Sequence, residues 1–200
     1  AKAPPLAGKE IAAFDALPGG EVFVALATGS LLVLPAAGEP ITVALDAAQL
    51  EGLLARAADD VLGFGTRDEK AYLMRYDGKT VTALAVPACE PGLTSLAITG
   101  STWWTTCASP RPYNYDMLNT QAQAGSLWRR EGEGAWERVA LPDGLAARQV
   151  VARGPDDVWV AAYGEHGGTV LHTREHGQVI ALGDMRAIVR KGFFVGQDEP

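Results

Sequence analysis

Short apolar runs alternate with turns rich in Gly, Pro and Asp along almost the whole chain. In Gln149–Gly183 an apolar run and a Gly-Pro-Asp-Asp turn precede VWVAA from Val158, a Gly-rich loop, TVLHT from Thr169, a Glu-His-Gly turn and VIAL from Val179. Apolar or alternating runs of four to eight residues between such turns predict β-strands. The stretch therefore predicts four consecutive short strands in an antiparallel meander.

The same order of runs and turns recurs earlier, between Glu51 and Pro87. The pair Asp59-Asp60 takes the place of Asp156-Asp157, and the turn that begins at Asp77 takes the place of the later Glu-His-Gly turn. Two turns in register over this length indicate a repeated supersecondary unit.

The start of the second strand in each unit shows how often the repeat occurs. Successive starts are 39, 42, 55 and 35 residues apart, and the residues are Val22, Val61, Trp103, Val158 and Phe193. Propeller blades repeat about every 40 to 45 residues, and an insertion of about a dozen residues between Cys107 and Ser126 explains the longest interval. We expect five units, over residues 10–46, 47–88, 89–143, 144–184, and 185–200 together with 1–9.

Asp156, Asp157, Val158 and Trp159 carry a D-D-V-W pattern that resembles the short blade repeats of exported bacterial β-propeller proteins. The resemblance extends from Glu10 to about residue 195 and implies an all-β fold of β-propeller blades. Together with the five units counted from the spacing, it leads us to expect a single-domain, five-bladed β-propeller of four-stranded antiparallel meanders over residues 1–200. The last unit has two strands before the sequence stops, so we expect the blade to be incomplete or closed by the N-terminal strand. Continuation beyond residue 200 and a strand donated by a partner stay open.

The segment Asp46–Asp60 favours two different structures. Asp46 as an N-cap, Gln49 in the capping-box position and leucines at 50, 53 and 54 fit a helix. The repeat instead places the first strand of unit two at about Gly52–Ala57. We expect the strand, since the repeat covers a longer stretch than the local propensity, with room for a helical turn at residues 46–49.

Composition narrows the function classes. With 48% hydrophobic residues the chain has ample material for a core, and 23 Gly and 12 Pro leave little room for long helices. A net charge of −7 without a basic run excludes nucleic acids and anionic membranes as partners. No apolar stretch approaches the ~20 residues of a membrane-spanning helix.

Two cysteines, Cys89 and Cys107, are 18 residues apart. A hairpin about Gly100 and a turn at Pro91-Gly92 would bring them within bridging range, so we expect a disulfide, with two separate buried thiols as the alternative. A bridge would place the protein in the periplasm, at the cell surface or outside the cell. The start AKAPP, without an initiator Met, fits the trimmed start of an exported chain or a cut sequence.

Tryptophans, histidines and paired carboxylates are the residues that could carry chemistry. Four tryptophans at repeat positions are expected to fill the core between sheets: Trp103, Trp128, Trp136 and Trp159. Trp104 must point to the face opposite Trp103. His166, His172 and His176 are close in sequence but fall on different parts of the unit, so we predict no metal site. The repeated Asp-Asp pairs are expected to form turns, and no motif predicts a catalytic residue or a cofactor.

The insertion between Ala108 and Gly125 breaks the repeat and is the best candidate for a binding surface. It contains Arg111, Tyr113, Asn114 and Tyr115, which are residue types that make binding surfaces. With Thr66–Lys70 and Tyr163–Gly168 it is expected at the propeller face that holds the channel entrance. The alternative is a longer solvent loop.

These observations predict a non-catalytic binding or scaffolding module that presents a loop-rich face to a protein or glycan partner. The alternatives are a propeller enzyme, such as a glycan hydrolase or lyase with a site at the central channel, and a subunit of a larger cell-envelope assembly.

Overall fold

The computed structural model describes residues 6–89, 92–108, 125–164, 167–174 and 178–184. Over these ranges the chain is all-β, with four antiparallel sheets of four strands each, and strands adjacent in sequence are adjacent in the sheet. The predicted meander is therefore confirmed for four units. The fifth unit depends on residues 185–200 and the N-terminal segment, of which 185–200 and 1–5 lie outside the described residues.

Sheets one and two have the following strands. Sheet one consists of β1 (Ile11–Ala16), β2 (Val22–Leu26), β3 (Ser30–Leu34) and β4 (Ile41–Ala44). Sheet two consists of β5 (Gln49–Ala57), β6 (Asp60–Arg67), β7 (Lys70–Tyr76) and β8 (Val81–Ala83). The predicted turn that begins at Asp77 connects β7 to β8, and Pro18-Gly19-Gly20 lies in the connection from β1 to β2. Positive φ angles at Gly20 and Gly78 explain the need for glycine.

Sheets three and four repeat the arrangement. Sheet three consists of β9 (Leu93–Thr99), β10 (Thr102–Cys107), β11 (Ser126–Glu131) and β12 (Glu137–Val139). Sheet four consists of β13 (Ala146–Gly154), β14 (Asp157–Gly164), β15 (Gly167–Arg174) and β16 (Gln178–Asp184). The second strands begin at or next to the predicted residues in all four described units, while Phe193 lies outside the described residues.

The chain forms two compact units, Ala1–Leu96 with Cys107–Pro110, and Ala97–Thr106 with Arg111–Pro200. Each has its own buried core. In the first unit the core includes Phe23, Leu31 and Met74, and in the second it includes Trp104 and Leu171. Core residues alternate along a strand, as Phe23 and Ala25 do in β2, as expected where one face of a sheet packs against another layer.

The ambiguous segment 46–60 is a strand, as the repeat predicted. Strand β5 pairs with β6 from Gln49 to Ala57, and Leu50 is buried in the core of the first unit. Asp46 and Ala47 have φ angles of 47° and 62°, which belong to the left-handed region. They cannot start a right-handed helix, so the turn before β5 replaces the helical turn that the sequence allowed.

The described residues include no helix that is long and apolar enough to cross a membrane.

Candidate functional site

The predicted disulfide is confirmed, and it lies at the start of the insertion. Cys89 and Cys107 are bonded, with their Cα atoms 6.1 Å apart, and the Ala108 amide donates a hydrogen bond to the Gly92 carbonyl at 3.1 Å. Cys107 is the last residue of β10, so the bridge ties the end of this strand to the segment that connects sheets two and three. The chain therefore leaves β10 for the insertion from a covalently fixed point.

The four predicted binding residues, Arg111, Tyr113, Asn114 and Tyr115, lie outside the described residues. The structure describes only the two ends of the insertion, at Ala108 and at Gly125. Their role as a binding surface therefore stays a prediction, and the described surroundings of the insertion are the part of the site that can be analysed.

A groove of about 440 Å³ lies within the second unit, beside the point where the insertion rejoins β11. Its walls come from the start of β11, the end of β12 and the connection between β12 and β13. The residues that line it are Gly125, Ser126, Arg138, Val139, Ala140, Leu141, Pro142, Asp143, Gly144 and Leu145. Apolar side chains of Val139, Leu141 and Leu145 are combined here with one cation and one carboxylate, a mixture typical of binding sites.

Close backbone packing holds the groove in shape. The Ala147 amide donates to the Gly125 carbonyl at 3.3 Å, and a Cβ atom at Gly125 would overlap the carbonyl oxygen of Ala147. The connection turns where the Leu145 amide donates to the Pro142 carbonyl at 3.2 Å. The end of the insertion is thus fixed to β13, and only glycine fits at this point.

Two other loops were expected near the insertion. In the first unit, β6 and β7 are joined through Asp68 and Glu69, whose φ angles of 52° and 61° are unusual for residues with a side chain. Arg67 stacks on the Tyr72 ring at 4.6 Å, and burial raises the pKa of the Tyr72 hydroxyl. In the second unit, Gly164 pairs with Gly167 in a tight hairpin, and the residues between them lie outside the described ones.

The first aspartate of each pair, Asp59 or Asp156, lies in a hairpin turn as predicted, whereas the second begins a strand and contacts side chains. Asp60 forms ion pairs with Arg75 at 2.9 Å and with Arg56 at 3.4 Å. Asp157 accepts hydrogen bonds from the indole N–H of Trp159 and makes one with Nε2 of His172, both at 2.8 Å. These bonds lower the pKa of Asp157. Each carboxylate is thus engaged by side chains of its own sheet.

Of the three histidines, the structure describes only His172. Its ring stacks on Trp159 with 4.2 Å between centroids. His166 and His176 lie outside the described residues, and the described part of the chain contains no group of three or more His, Cys, Asp or Glu residues that could hold a metal ion.

The prediction for the tryptophans was wrong in its choice of core residue. Trp104 is the fully buried one, at 1% exposure, whereas Trp103, Trp128, Trp136 and Trp159 are half-buried. The opposite-face argument for Trp103 and Trp104 was correct, but the repeat did not show which face of sheet three is covered. Trp136 also precedes β12 rather than lying within a strand.

Sequence reasoning also missed Arg130. It is 8% exposed, and its guanidinium lies over the rings of Trp103 at 4.0 Å and Trp136 at 4.8 Å. Burial lowers the pKa of this guanidinium. A signal was present in the sequence, because Trp128 and Arg130 are two residues apart on β11 and Trp136 immediately precedes β12, which places an arginine among aromatic rings.

No protein-family model and no curated protein sequence matches this chain. Among solved structures the chain is similar to Ycf48 bound to a D1 peptide, with 13% identity, a TM-score of 0.56, and coverage of 86% of this chain and 53% of Ycf48. It also matches a catalytically inactive virginiamycin B lyase from Staphylococcus aureus in complex with quinupristin, with 9% identity, a TM-score of 0.45, and coverage of 87% and 70%.

The chain spans about half the length of Ycf48. At this level of identity the likeness concerns the fold alone. The four antiparallel meanders and the similarity to Ycf48 agree that the architecture is all-β and of the β-propeller type.

Proposed function

We propose that the protein is a non-catalytic binding module that presents the insertion 108–125 and the adjoining groove to a protein or glycan partner. The observation that carries this proposal is the groove itself, which borders the end of the insertion and combines apolar side chains with Arg138 and Asp143. Arg111, Tyr113, Asn114 and Tyr115 would complete the binding surface from the insertion.

Fixed ends make the insertion better suited to binding. The disulfide at Cys107 anchors its first end, and the Ala147 to Gly125 hydrogen bond anchors its last. A loop with fixed ends loses less conformational entropy when it binds a partner, so more of the contact energy becomes affinity. Tyrosine and arginine contribute most of the energy in many interfaces, which supports a role for the four residues of the insertion.

The comparison supports the same class of function. Ycf48, which has the same type of fold, is bound to a peptide in its solved structure. This chain shares too little sequence with Ycf48 for the peptide to be carried over. It supports the narrower point that a fold of this type can bind a peptide.

The disulfide supports an oxidising location for this activity, at the periplasm, the cell surface or outside the cell. Five blades complete the proposed architecture, with the N-terminal segment and residues 185–200 forming the last one. A ring closed in this way would leave no exposed sheet edge.

Capture of partners from the cell envelope of the source organism tests the proposal. Tyr113→Ala combined with Tyr115→Ala should reduce capture of the main partner about tenfold, while the melting temperature stays within about 2 °C of wild type. Lys79→Gln, an exposed change in the β7–β8 turn, is the matched control and should capture as wild type.

Four results would contradict the proposal. Equal capture by the tyrosine variant would remove the insertion from the binding surface, and a matching fall in melting temperature would make the insertion structural. Turnover of a glycan by the purified protein would favour the enzyme. A stable complex that native mass spectrometry finds unchanged in the tyrosine variant would favour the assembly subunit.

A further inference from the structure

One face of sheet three carries an arrangement of tryptophans and arginines of which the proposed function uses only Arg138. Trp128 and Arg130 are two residues apart on β11, so their side chains point to the same face. Arg138 on β12 is paired directly with Trp128. We call this the Trp–Arg face, and its members are Trp103, Trp128, Arg130, Trp136 and Arg138.

The aromatic rings on this face are held in fixed orientations. The Arg130 guanidinium lies between Trp103 and Trp136, at 4.0 and 4.8 Å from the ring centroids. The Trp128 indole N–H donates a hydrogen bond to the Ser126 hydroxyl at 2.8 Å, which leaves the ring face as its remaining contact surface. Trp128 is half-buried and Arg138 is exposed, so this end of the face is accessible to a ligand.

The arginines on the two faces of these strands differ in how their charge is paired with carboxylates. On the opposite face Arg129 is paired with Glu137 across the strands, and it makes an ion pair with Glu131 at 3.7 Å. On the Trp–Arg face the charge of Glu133 acts on Arg130 and partly offsets the lowering of its pKa by burial, but no ion pair joins Arg130 to a carboxylate among the described residues. The Nε atom of Arg130, like that of Arg129, has no hydrogen-bond partner. A buried guanidinium in this state favours a nearby anion.

The combination of groups indicates the chemistry of a ligand. A flat indole face packs well against the apolar C–H face of a pyranose ring, and a planar guanidinium pairs with a carboxylate through two parallel hydrogen bonds. A sugar that carries a carboxylate on its ring offers both features within the distance between neighbouring strands. A neutral sugar would leave the arginines unused.

We propose that the Trp–Arg face is a second binding site, for an acidic oligosaccharide of the uronic acid class, with Trp128 stacking on a sugar ring and Arg138 and Arg130 binding its carboxylate. The site is separate from the insertion 108–125, although Arg138 also borders the groove. The proposal stands or falls independently of the role of the insertion.

Titration with trigalacturonate, followed by tryptophan fluorescence and calorimetry, tests the site. We expect saturable binding with a dissociation constant of about 0.1 to 1 mM, and at least about tenfold weaker binding of the neutral trisaccharide maltotriose. Raising the salt to about 0.5 M should weaken the binding of trigalacturonate, because it screens the exposed Arg138.

Three variants separate binding from folding. Arg138→Gln should weaken trigalacturonate about tenfold without a change in melting temperature, because this side chain is exposed. Trp128→Phe, which keeps an apolar ring but lies outside the groove lining, should weaken it about fivefold. Arg130→Lys keeps the charge but loses the planar fork, and it should also weaken binding. Lys79→Gln is again the control.

The Tyr113→Ala, Tyr115→Ala variant should bind trigalacturonate as wild type does, which distinguishes this site from the insertion. The proposal is overturned by equal affinity for trigalacturonate and maltotriose, by the absence of binding at about 10 mM, or by wild-type affinity in Arg138→Gln and Trp128→Phe. A fall in melting temperature in these two variants with unchanged affinity would make the Trp–Arg face a structural element.

Discussion

Sheets two and four both place a carboxylate at the start of the second strand, but they surround it with different side chains. Each begins its second strand with an aspartate, Asp60 or Asp157, followed by a fully buried valine. In both, the carboxylate reaches a cationic or titratable side chain on the third strand. Arg75 is paired with Leu62 across β6 and β7, and His172 is paired with Trp159 across β14 and β15, so the two partners occupy equivalent positions.

The difference lies in what surrounds the carboxylate. Asp60 is only 18% exposed and has a second guanidinium, from Arg56, whereas Asp157 is 47% exposed and has the Trp159 indole instead. The Trp159 ring then stacks on His172, its partner across the strands. A permanent charge pair in sheet two is thus replaced in sheet four by a hydrogen-bonded aromatic cluster with a titratable member.

Sheet three reverses the arrangement. Thr102 stands at the start of its second strand, and the carboxylate is Glu131 on the third strand, where it accepts hydrogen bonds from the hydroxyls of Thr102 and Ser101. These bonds lower the pKa of Glu131. In these three sheets a carboxylate at the hairpin end has donors around it, and the strand that supplies the carboxylate differs between them.

The largest expected effect comes from the buried positions that the two sheets share. Met74 in β7 and Leu171 in β15 are both fully buried on the third strand. Met74→Ala and Leu171→Ala should each lower the free energy of unfolding by about 2 to 5 kcal/mol, measured by thermal denaturation. A loss below about 1 kcal/mol in only one of them would show that the two sheets do not have comparable cores.

Removing the two carboxylates should lower the free energy of unfolding by different amounts in sheets two and four. Asp60→Asn should cost about 1 kcal/mol, because it leaves Arg75 and Arg56 without their shared partner. Asp157→Asn should lower the free energy of unfolding by less, because the site is more exposed and water can take over part of the hydrogen bonding of the carboxylate. Chemical denaturation of both variants measures the difference, and a greater loss in Asp157→Asn would reverse the order of the comparison.

Acid should remove the contribution of Asp157. Hydrogen bonds from His172 and Trp159 hold the pKa of this carboxyl below its ordinary value of 3.8, so its stabilisation is present above that pH and is lost as the pH falls through the lower native pKa. The difference in melting temperature between wild type and Asp157→Asn should therefore stay constant above about pH 5 and shrink as the pH falls below about 4. A difference that stays constant below about pH 4 as well would exclude the carboxylate as its source.

The smallest effect on stability is expected when Arg75, the partner of Asp60 on the third strand, is replaced by histidine. Arg75→His gives sheet two the titratable partner of sheet four. A histidine beside Asp60 has a raised pKa, so its stabilisation is present below the ordinary value of about 6.5 and is lost as the pH rises through the native pKa. The variant should be close to wild type at about pH 5.5 and less stable at about pH 8, by less than about 1 kcal/mol. Equal loss at both pH values would contradict this.

Much of the fold could be predicted from the sequence because its turns repeat. The turns at Asp59-Asp60 and Asp156-Asp157 fixed the register of two sheets, and the hairpin about Gly100 led to the disulfide. Strand β5 was identified for the same reason, although its leucines fit a helix. The helix propensity of this segment does not decide its structure, because the left-handed turn at Asp46-Ala47 and the pairing with β6 determine the conformation.

The candidate site was less accessible to prediction. The insertion was visible as a break in the repeat, but the groove depends on backbone contacts between Gly125 and Ala147, which are far apart in sequence. The Trp–Arg face was missed for a related reason. Its members lie on three strands, and alternation along a single strand does not show whether a face is covered, so Trp103 was assigned to the core in place of Trp104.

Hydrogen–deuterium exchange of the protein with and without its captured partner tests the central claim most directly. If the insertion and groove form the binding surface, the partner should slow exchange in peptides that cover residues 108–125 and 138–145, and leave the β5–β8 hairpins unchanged. Slower exchange confined to other parts of the chain, with the insertion and the groove unaffected, would contradict the proposed function.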